Sequence, residues 1–282
     1  MDAFLAPFEF SFFRNGLIVA TLAGALCGLV GTYVVLKGMS YIGHGLSHAI
    51  FGGFAASALL GINLFLGAGA WGFASALMIG GVTRRRAIGS DAAIGVITTA
   101  SFALGLALIK VFGSAGKSAD AYLFGNVLGV DTGQVVLVAA VTVAAGAAVF
   151  LGYRPLLFST FDPEVADVSG VRTARVDALL MLVLAATILA TMNVLGVTLV
   201  AATLVIPPVV ARMLTNSFAT MLLLSTVIGT VAGFVGMVAS YHLDIAPGPT
   251  IVLVGSSLFA LVFLATGVQG RRRAGGLGAD LA

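Results

Sequence analysis

The sequence predicts an all-α membrane protein, a polytopic bundle of transmembrane helices that forms a single domain over residues 1–282. Three observations lead to this fold class. Hydrophobic residues make up 60% of the chain and charged residues only 9%, whereas soluble domains carry about 25% charged residues. The apolar residues form long continuous runs, not the alternating pattern of an outer-membrane barrel. The 37 glycines suit close helix packing in lipid, where small residues let two backbones approach.

Nine segments are long and apolar enough to cross a membrane, if a span takes about 20 residues. The third segment is short and begins near two glycines, so the count is eight or nine. No basic region precedes the first segment, so we expect it to remain as an anchor. The predicted segments are residues 16–36, 45–63, 65–83, 92–112, 133–153, 176–194, 196–214, 218–241 and 250–268.

The basic residues predict the orientation of these spans, because loops rich in Lys and Arg remain in the cytoplasm. With nine spans, one side holds Arg14, Lys110 and Lys117, and the other holds the remaining Lys and Arg residues. The chain is therefore expected in the plasma (inner) membrane, with a cytoplasmic tail at about residues 269–282. Short basic clusters beside spans need no nucleic-acid partner to explain them. The residues on the cytoplasmic side are Lys37, Arg84, Arg85, Arg86, Arg154, Arg172, Arg175, Arg212, Arg271, Arg272 and Arg273.

Two of the three histidines stand four residues apart at the start of the second predicted span. On a helix, His44 and His48 lie on one face, within reach of one metal ion. Zinc and other late transition metals favour imidazole ligands, and ionisable groups in spans are usually functional. The alternative is a pair of neutral imidazoles that hydrogen-bond to neighbouring helices. We favour a metal site, with Tyr41 and Ser47 as hydrogen-bond partners of the imidazoles.

His242 and Asp244 form a second candidate metal site at the outer end of the eighth segment. These side chains could receive an ion at the outer mouth of a pathway. They could equally belong to an ordinary polar turn before Pro247, which the sequence slightly favours.

The loop between the fifth and sixth segments predicts a short amphipathic helix on the cytoplasmic side, at about residues 161–170. It has an acidic N-cap, a proline at the first helical position and a glutamate in the first turn. Two valines form a small apolar face, and a glycine can end the helix. Taken alone, this helix either lies on lipid or docks a cytosolic partner. Its defining residues are Phe161, Asp162, Pro163, Glu164, Val165, Val168 and Gly170.

The seventh segment contains adjacent prolines, Pro207 and Pro208. Each removes a backbone donor and clashes with the preceding turn, so we expect no continuous helix there. In transporters, broken spans line cavities. A purely structural kink is the alternative.

Nothing in the sequence indicates that this chain binds ATP or acts as an enzyme. Gly116, Lys117 and Ser118 resemble the end of a phosphate-binding loop, but Val111 stands where that loop needs a glycine. No Ser–His–Asp order and no paired carboxylates in a span point to hydrolysis.

Several stretches together resemble the membrane permease subunits of ATP-binding-cassette importers for zinc and manganese. The resemblance extends over about residues 17–263. Each stretch is weak alone, but their combination in this order is specific. The stretches are residues 39–49, 93–95, 122–126, 161–164, 196–207, 211–212, 240–244 and 248–253.

This resemblance implies a homodimer of permease subunits, two docked cytosolic ATP-binding-cassette ATPase subunits and an extracytoplasmic metal-binding protein. ATP hydrolysis in the separate subunits would drive alternating access, and the helix at 161–170 would be the coupling helix. Zn²⁺ or Mn²⁺ would be cargo, with no permanently bound cofactor. His48 matches the family's histidine, whereas His44 stands where an aspartate is usual. An aromatic residue is more common at the position of His242.

We therefore expect a divalent-metal importer permease in contact with membrane lipid. Zinc is favoured because two imidazoles replace a nitrogen and oxygen pair, and manganese prefers more oxygen donors. A metal chelate is another possible substrate of such an assembly. One alternative is a stand-alone ion-coupled secondary transporter of metal ions or small solutes, against which the coupling helix argues. Another is an intramembrane metalloenzyme, which would need a glutamate where Gly45 stands.

Overall fold

The computed structural model of the protein describes residues 6–84, 90–112, 130–197 and 199–279. The Gly116–Ser118 motif, the stretch 122–126 and the basic residues Arg85 and Arg86 lie outside these residues. Within them, a 3-10 helix at Ala6–Glu9 precedes the α-helices. These are α1 (Ser11–Leu36), α2 (Ile42–Leu60), α3 (Leu64–Arg84), α4 (Ser90–Phe112), α5 (Thr132–Leu151), α6 (Tyr153–Phe161), α7 (Pro163–Val168), α8 (Thr173–Leu195), α9 (Val200–Leu214), α10 (Phe218–Leu243) and α11 (Pro247–Ala279).

A helix covers each of the nine predicted segments, which confirms the all-α transmembrane bundle. Among the described residues, seven helices are long and apolar enough to cross a membrane. The 19-residue α2 and the shorter apolar α9 are the other two. The last helix continues to Ala279, so the predicted tail is helical over most of its length.

Helix α1 lies at the centre of the bundle, where it packs against α10, α9, α5 and α8. Its closest contact is with α10, through backbone atoms. A Cβ atom at Gly24, Gly28 or Gly233 would overlap a carbonyl oxygen of the opposite helix, and one at Gly229 would overlap the Gly24 carbonyl. We call these four residues the glycine seam. Small residues of this kind allow the backbone approach that stabilises helix pairs in lipid.

The two prolines do not interrupt α9, and the predicted break is therefore wrong at this position. Pro207 and Pro208 leave the carbonyls of Thr203 and Leu204 without their usual helical donors. A Cβ at Gly31 of α1 would overlap the Leu204 carbonyl oxygen, so the glycine lets α1 pack directly on that freed group. Neighbouring helices accommodate freed backbone groups in membrane bundles, which explains why the helix continues.

The chain breaks instead just before α9, between α8 and α9. Gly196 follows α8 with a positive φ of 80°, a conformation that glycine adopts without steric penalty. This break falls at the predicted boundary between the sixth and seventh segments, not at the prolines.

Candidate functional site

His44 and His48 lie in the first two turns of α2, and both side chains are half-buried. Their ring centroids are 4.4 Å apart. The helical spacing thus brings both imidazoles onto one face, within reach of a single ion.

One nitrogen of His48 has a defined role in the helix. Its Nδ1 atom lies 2.9 Å from the backbone carbonyl oxygen of His44. A carbonyl oxygen can only accept, so Nδ1 carries the hydrogen, and Nε2 of the neutral ring keeps its lone pair. Ligand imidazoles in metal sites are commonly oriented in this way. Nε2 is therefore the nitrogen that His48 can offer to a metal.

The predicted hydrogen-bond partners of the imidazoles have other roles. Ser47 Oγ donates to the same His44 carbonyl oxygen at 2.8 Å, so this hydroxyl supports the helix backbone. The Tyr41 ring lies 5.4 Å from the His44 ring, centroid to centroid. Tyr41 thus covers one side of His44 as an aromatic neighbour.

Helix α4 forms the wall beside the histidines. The Phe102 ring stands edge-on to His48 at a centroid distance of 4.9 Å. A Cβ at Gly45 would lie 2.8 Å from Thr98 Cγ2, and one at Gly43 would lie 2.9 Å from Leu204 Cδ1 of α9. The glycines on either side of His44 therefore let α2 pack closely against α4 and α9. Phe102 was not identified from the sequence, because no local pattern marks it.

Within the part of the chain that the structure describes, no third acidic, histidine or cysteine ligand completes the histidine pair, because no group of three or more such side chains is placed to hold a metal ion. An ion held by this pair would need further ligands of other kinds.

His242 and Asp244 do not join the histidine pair in such a group. Both are exposed at the end of α10. Asp244 is the C-cap, with a left-handed φ of 54°, and its N–H donates to the Ser240 carbonyl. Aspartate is among the residues that tolerate this conformation. The polar turn that the sequence slightly favoured is therefore present.

The short amphipathic helix predicted at about residues 161–170 is present as α7, Pro163–Val168. Asp162 Oδ1 accepts the Val165 N–H at 2.9 Å, and Pro163 occupies the first turn. Gly170, with a φ of 84°, closes the helix with the two backbone hydrogen bonds of a Schellman motif. Helix α6, directly before it, was not predicted.

The apolar side chains of this region face outward. Val168 is 91% exposed, Phe161 58% and Val165 50%. This exposed apolar face fits either lipid or a protein partner.

An ion pair and its hydrogen bonds join the end of α1 to α6 and α8. Lys37 Nζ lies 2.9 Å from Asp177 Oδ1, and the two side chains are 13% and 23% exposed. The same ammonium donates to the Ser159 carbonyl at 3.0 Å, and Ser159 Oγ donates to Asp177 Oδ1 at 2.8 Å. We call these three residues the Lys37 cluster. Sequence reasoning missed it, since 140 residues separate Lys37 from Asp177.

The profile of the family described as "ABC 3 transport family" matches residues 9–266. The chain belongs to this family. The resemblance found in the sequence is thereby confirmed, and the chain is a multi-pass membrane permease of the plasma membrane.

Two relatives of similar length and one solved structure also match most of this chain. The "Manganese transport system membrane protein MntC" of Halalkalibacterium halodurans is 37% identical over 262 residues, which cover 93% of this chain and 90% of that protein. The "Manganese import system permease protein ScaB" of Streptococcus parasanguinis is 37% identical over 257 residues, 90% of this chain and 91% of that protein. The solved structure "PsaBC from Streptococcus pneumoniae in complex with Fab" aligns with a TM-score of 0.82 at 33% identity, over 93% of this chain and 95% of that chain.

Proposed function

We propose that the chain is the permease subunit of an ATP-binding-cassette importer for a divalent transition metal ion. The main support for this proposal is the family match over residues 9–266, a range that includes the His44–His48 pair. The names of both relatives, which describe manganese transport, support a metal ion as cargo.

His44 and His48 are the proposed ligands of the ion during its passage. The hydrogen bond from His48 Nδ1 to the helix backbone orients Nε2 before the ion arrives, so little ordering is required on binding. A half-buried pair on the first turns of a span can receive an ion and release it again. The metal is therefore cargo and not a resident cofactor.

Two observations bear on which metal is carried, and they point in opposite directions. The names of the relatives support manganese. The donor pair of two imidazole nitrogens supports zinc, because manganese binds best to oxygen-rich sites. We propose that this chain carries both ions and prefers zinc, on the strength of its own donor atoms.

The proposed partners follow from the family and from the cytoplasmic helices. The permease would act as a homodimer with two ATPase subunits, and an extracytoplasmic binding protein would deliver the ion. The exposed apolar face of α7, which carries Val165 and Val168, is the proposed contact with the ATPase. Its position between two spans suits a coupling helix.

The test is metal uptake into proteoliposomes that contain the permease, its ATPase and the binding protein. We expect zinc uptake that requires hydrolysable ATP, with manganese as a weaker competitor. Equal uptake without the ATPase would contradict the proposal and favour a stand-alone ion-coupled secondary transporter. Preferential manganese uptake would leave the importer in place and overturn the proposed zinc preference.

A further inference from the structure

The ammonium group of Lys37 uses all three of its N–H donors within the protein. It donates to Asp177 Oδ1 at 2.9 Å, to the Ser159 carbonyl at 3.0 Å and to the Ser159 hydroxyl at 3.1 Å. Since an ammonium has three donors and no acceptor, the group is fully satisfied by two residues. One side chain thereby holds together the end of α1, α6 and the start of α8.

Lys37 is connected to the histidine pair by a short, hydrogen-bonded turn. It is the C-cap of α1, and Ile42 begins α2 only five positions later. Within this turn, the Met39 N–H donates to the Val34 carbonyl at 3.0 Å, and the Ile42 N–H donates to the Met39 carbonyl at 2.9 Å. A displacement of Lys37 is therefore transmitted to the first turn of α2, which carries His44.

On its other side, the Lys37 cluster is connected to both ends of α7. Ser159 lies on α6, which leads into α7 at Pro163. Beyond α7, Thr173 Oγ1 at the start of α8 donates to Asp167 Oδ1 of α7 at 2.6 Å, and Asp177 follows one turn later on α8. A force on α7 thus reaches Lys37 through either flanking helix.

The cytoplasmic end also contains space for such a displacement. A cavity of about 440 Å³ lies beside the cluster, with Lys37, Met39, Thr83, Pro163, Asp167 and Asp177 among its lining residues. Helix α7 therefore borders this cavity through Pro163 and Asp167.

We propose that the Lys37 cluster is the positioning link through which α7 sets the position of the histidine-bearing turn of α2. This inference rests on the proposed function, because it requires that an ATPase act on α7. Lys37 and Asp177 are positioning residues and touch no metal. A partly shielded ion pair suits the task, since it is screened less than a surface pair and truncating either partner removes the direct contact between Lys37 and α8.

The test compares ATP turnover and metal binding in the assembled importer. The variants are Lys37→Met, Asp177→Asn and the two combined. ATP hydrolysis is measured with and without the zinc-loaded binding protein, and zinc binding to the permease is measured separately. Lys110→Met, an exposed lysine in the last turn of α4, is the matched control.

We expect Lys37→Met and Asp177→Asn each to reduce zinc-stimulated turnover about fivefold or more, the lower end of typical coupling between sites. Basal turnover and zinc binding should remain at the wild-type level. The combined variant should lose no more than either single variant, because both remove the same link. Lys37→Arg, which keeps the charge and several donors, should restore stimulation.

Two outcomes would overturn the link, and a third would overturn the proposed function on which it rests. Wild-type stimulation in Lys37→Met would show that the cluster transmits nothing. A parallel fall of basal turnover, stimulated turnover and zinc binding would show a merely structural role. A wild-type complex that zinc and manganese both fail to stimulate would overturn the proposed function itself, which separates that failure from a failure of the link.

If Lys37→Met does not assemble with the ATPase, a milder variant tests the same link. Ser159→Ala keeps the ion pair and the carbonyl contact but removes the hydroxyl that joins Lys37 to Asp177. We expect it to assemble and to lose part of the stimulation. Full stimulation in the assembled Ser159→Ala complex would overturn the link.

Discussion

His48 presents one defined nitrogen to an ion that reaches α2. Its Nδ1 is held by the His44 carbonyl, and Phe102 restricts the ring from the side of α4. The ring therefore loses little freedom when it binds a metal. His44 lies on the same face with a ring centroid 4.4 Å away, so both rings are placed to reach one ion.

Replacing His48 with alanine should abolish metal uptake but leave assembly intact. Loss of supporting contacts to a ligand already lowers metal affinity about 10–100-fold, and loss of the ligand itself should have at least that effect. Uptake is measured in proteoliposomes, with the amount of assembled complex as the reference. His242→Ala, at the exposed turn after α10, is the matched control and should transport normally. Normal uptake by His48→Ala would exclude it as a ligand.

Replacing His44 with aspartate should shift the preference from zinc toward manganese. The carboxylate supplies a hard oxygen donor and a negative charge, both of which suit manganese. A change of about tenfold in the zinc-to-manganese uptake ratio corresponds to about 1.4 kcal/mol. Competitive uptake of the two metals measures this ratio. His44→Asn is the control, because it supplies an oxygen donor without the negative charge, and it should shift the ratio less. An unchanged ratio in His44→Asp would show that His44 is not a ligand.

At the scale of single elements, α7 combines firm local structure with an outward apolar face. The Asp162 cap and the Schellman motif at Gly170 fix both ends of a helix only six residues long. A helix this short has little stability of its own, so these end contacts matter. Its exposed valines then remain available for a partner.

Substitutions in α7 should uncouple the ATPase while the permease remains in the membrane. Val165→Asp places a charge on the apolar face. Glu164→Lys reverses the charge in the first turn, against the helix dipole, at a cost of about 0.3–1 kcal/mol. Metal-stimulated ATP turnover and co-purification of the ATPase report the effect. Val165→Thr and Glu164→Gln are the mild controls, and normal turnover in both severe variants would assign α7 to the lipid surface.

A methyl group in the glycine seam should destabilise the bundle. In Gly229→Ala, the added Cβ meets the Gly24 backbone, and such overpacking typically costs about 1–3 kcal/mol. Thermal unfolding of the purified permease measures the loss as a lower Tm. Gly146→Ala in α5 has no heavy atom within 4 Å of the new Cβ, so it should keep or raise the Tm, because alanine favours helix. Equal Tm values for both variants would contradict the close contact.

At the scale of the whole molecule, large apolar surfaces remain uncovered in a single chain. Only 17% of the apolar window of α5 and 22% of that of α11 are buried. Lipid would cover such surfaces around a monomer, and a second copy of the chain would cover part of the apolar surface in the proposed homodimer. We expect native mass measurement of the purified importer to show two permease chains of 28.5 kDa each with two ATPase subunits. One permease chain per complex would contradict the homodimer.

The sequence predicts the elements of this fold better than their contacts. The nine apolar runs and the α7 caps follow from local composition, because each depends on residues close together in the chain. The Lys37–Asp177 pair does not, since its partners are 140 residues apart and no local pattern links them. Pro207 and Pro208 misled the prediction for a similar reason. Helix α9 continues through both prolines, and Gly31 of a helix far along the chain packs on the Leu204 carbonyl that they free.

Helices α1 and α10 cannot slide past each other along the glycine seam. Contacts between side chains can exchange through rotamer changes, whereas touching backbones have no alternative arrangement nearby. We therefore expect the pair to move as one unit. The end of the pair that carries the start of α10 lies beside α6, where Phe218 packs against Phe161 at a ring distance of 5.8 Å. If the proposed importer cycles by alternating access, a displacement at that end would be carried along both helices to their opposite ends.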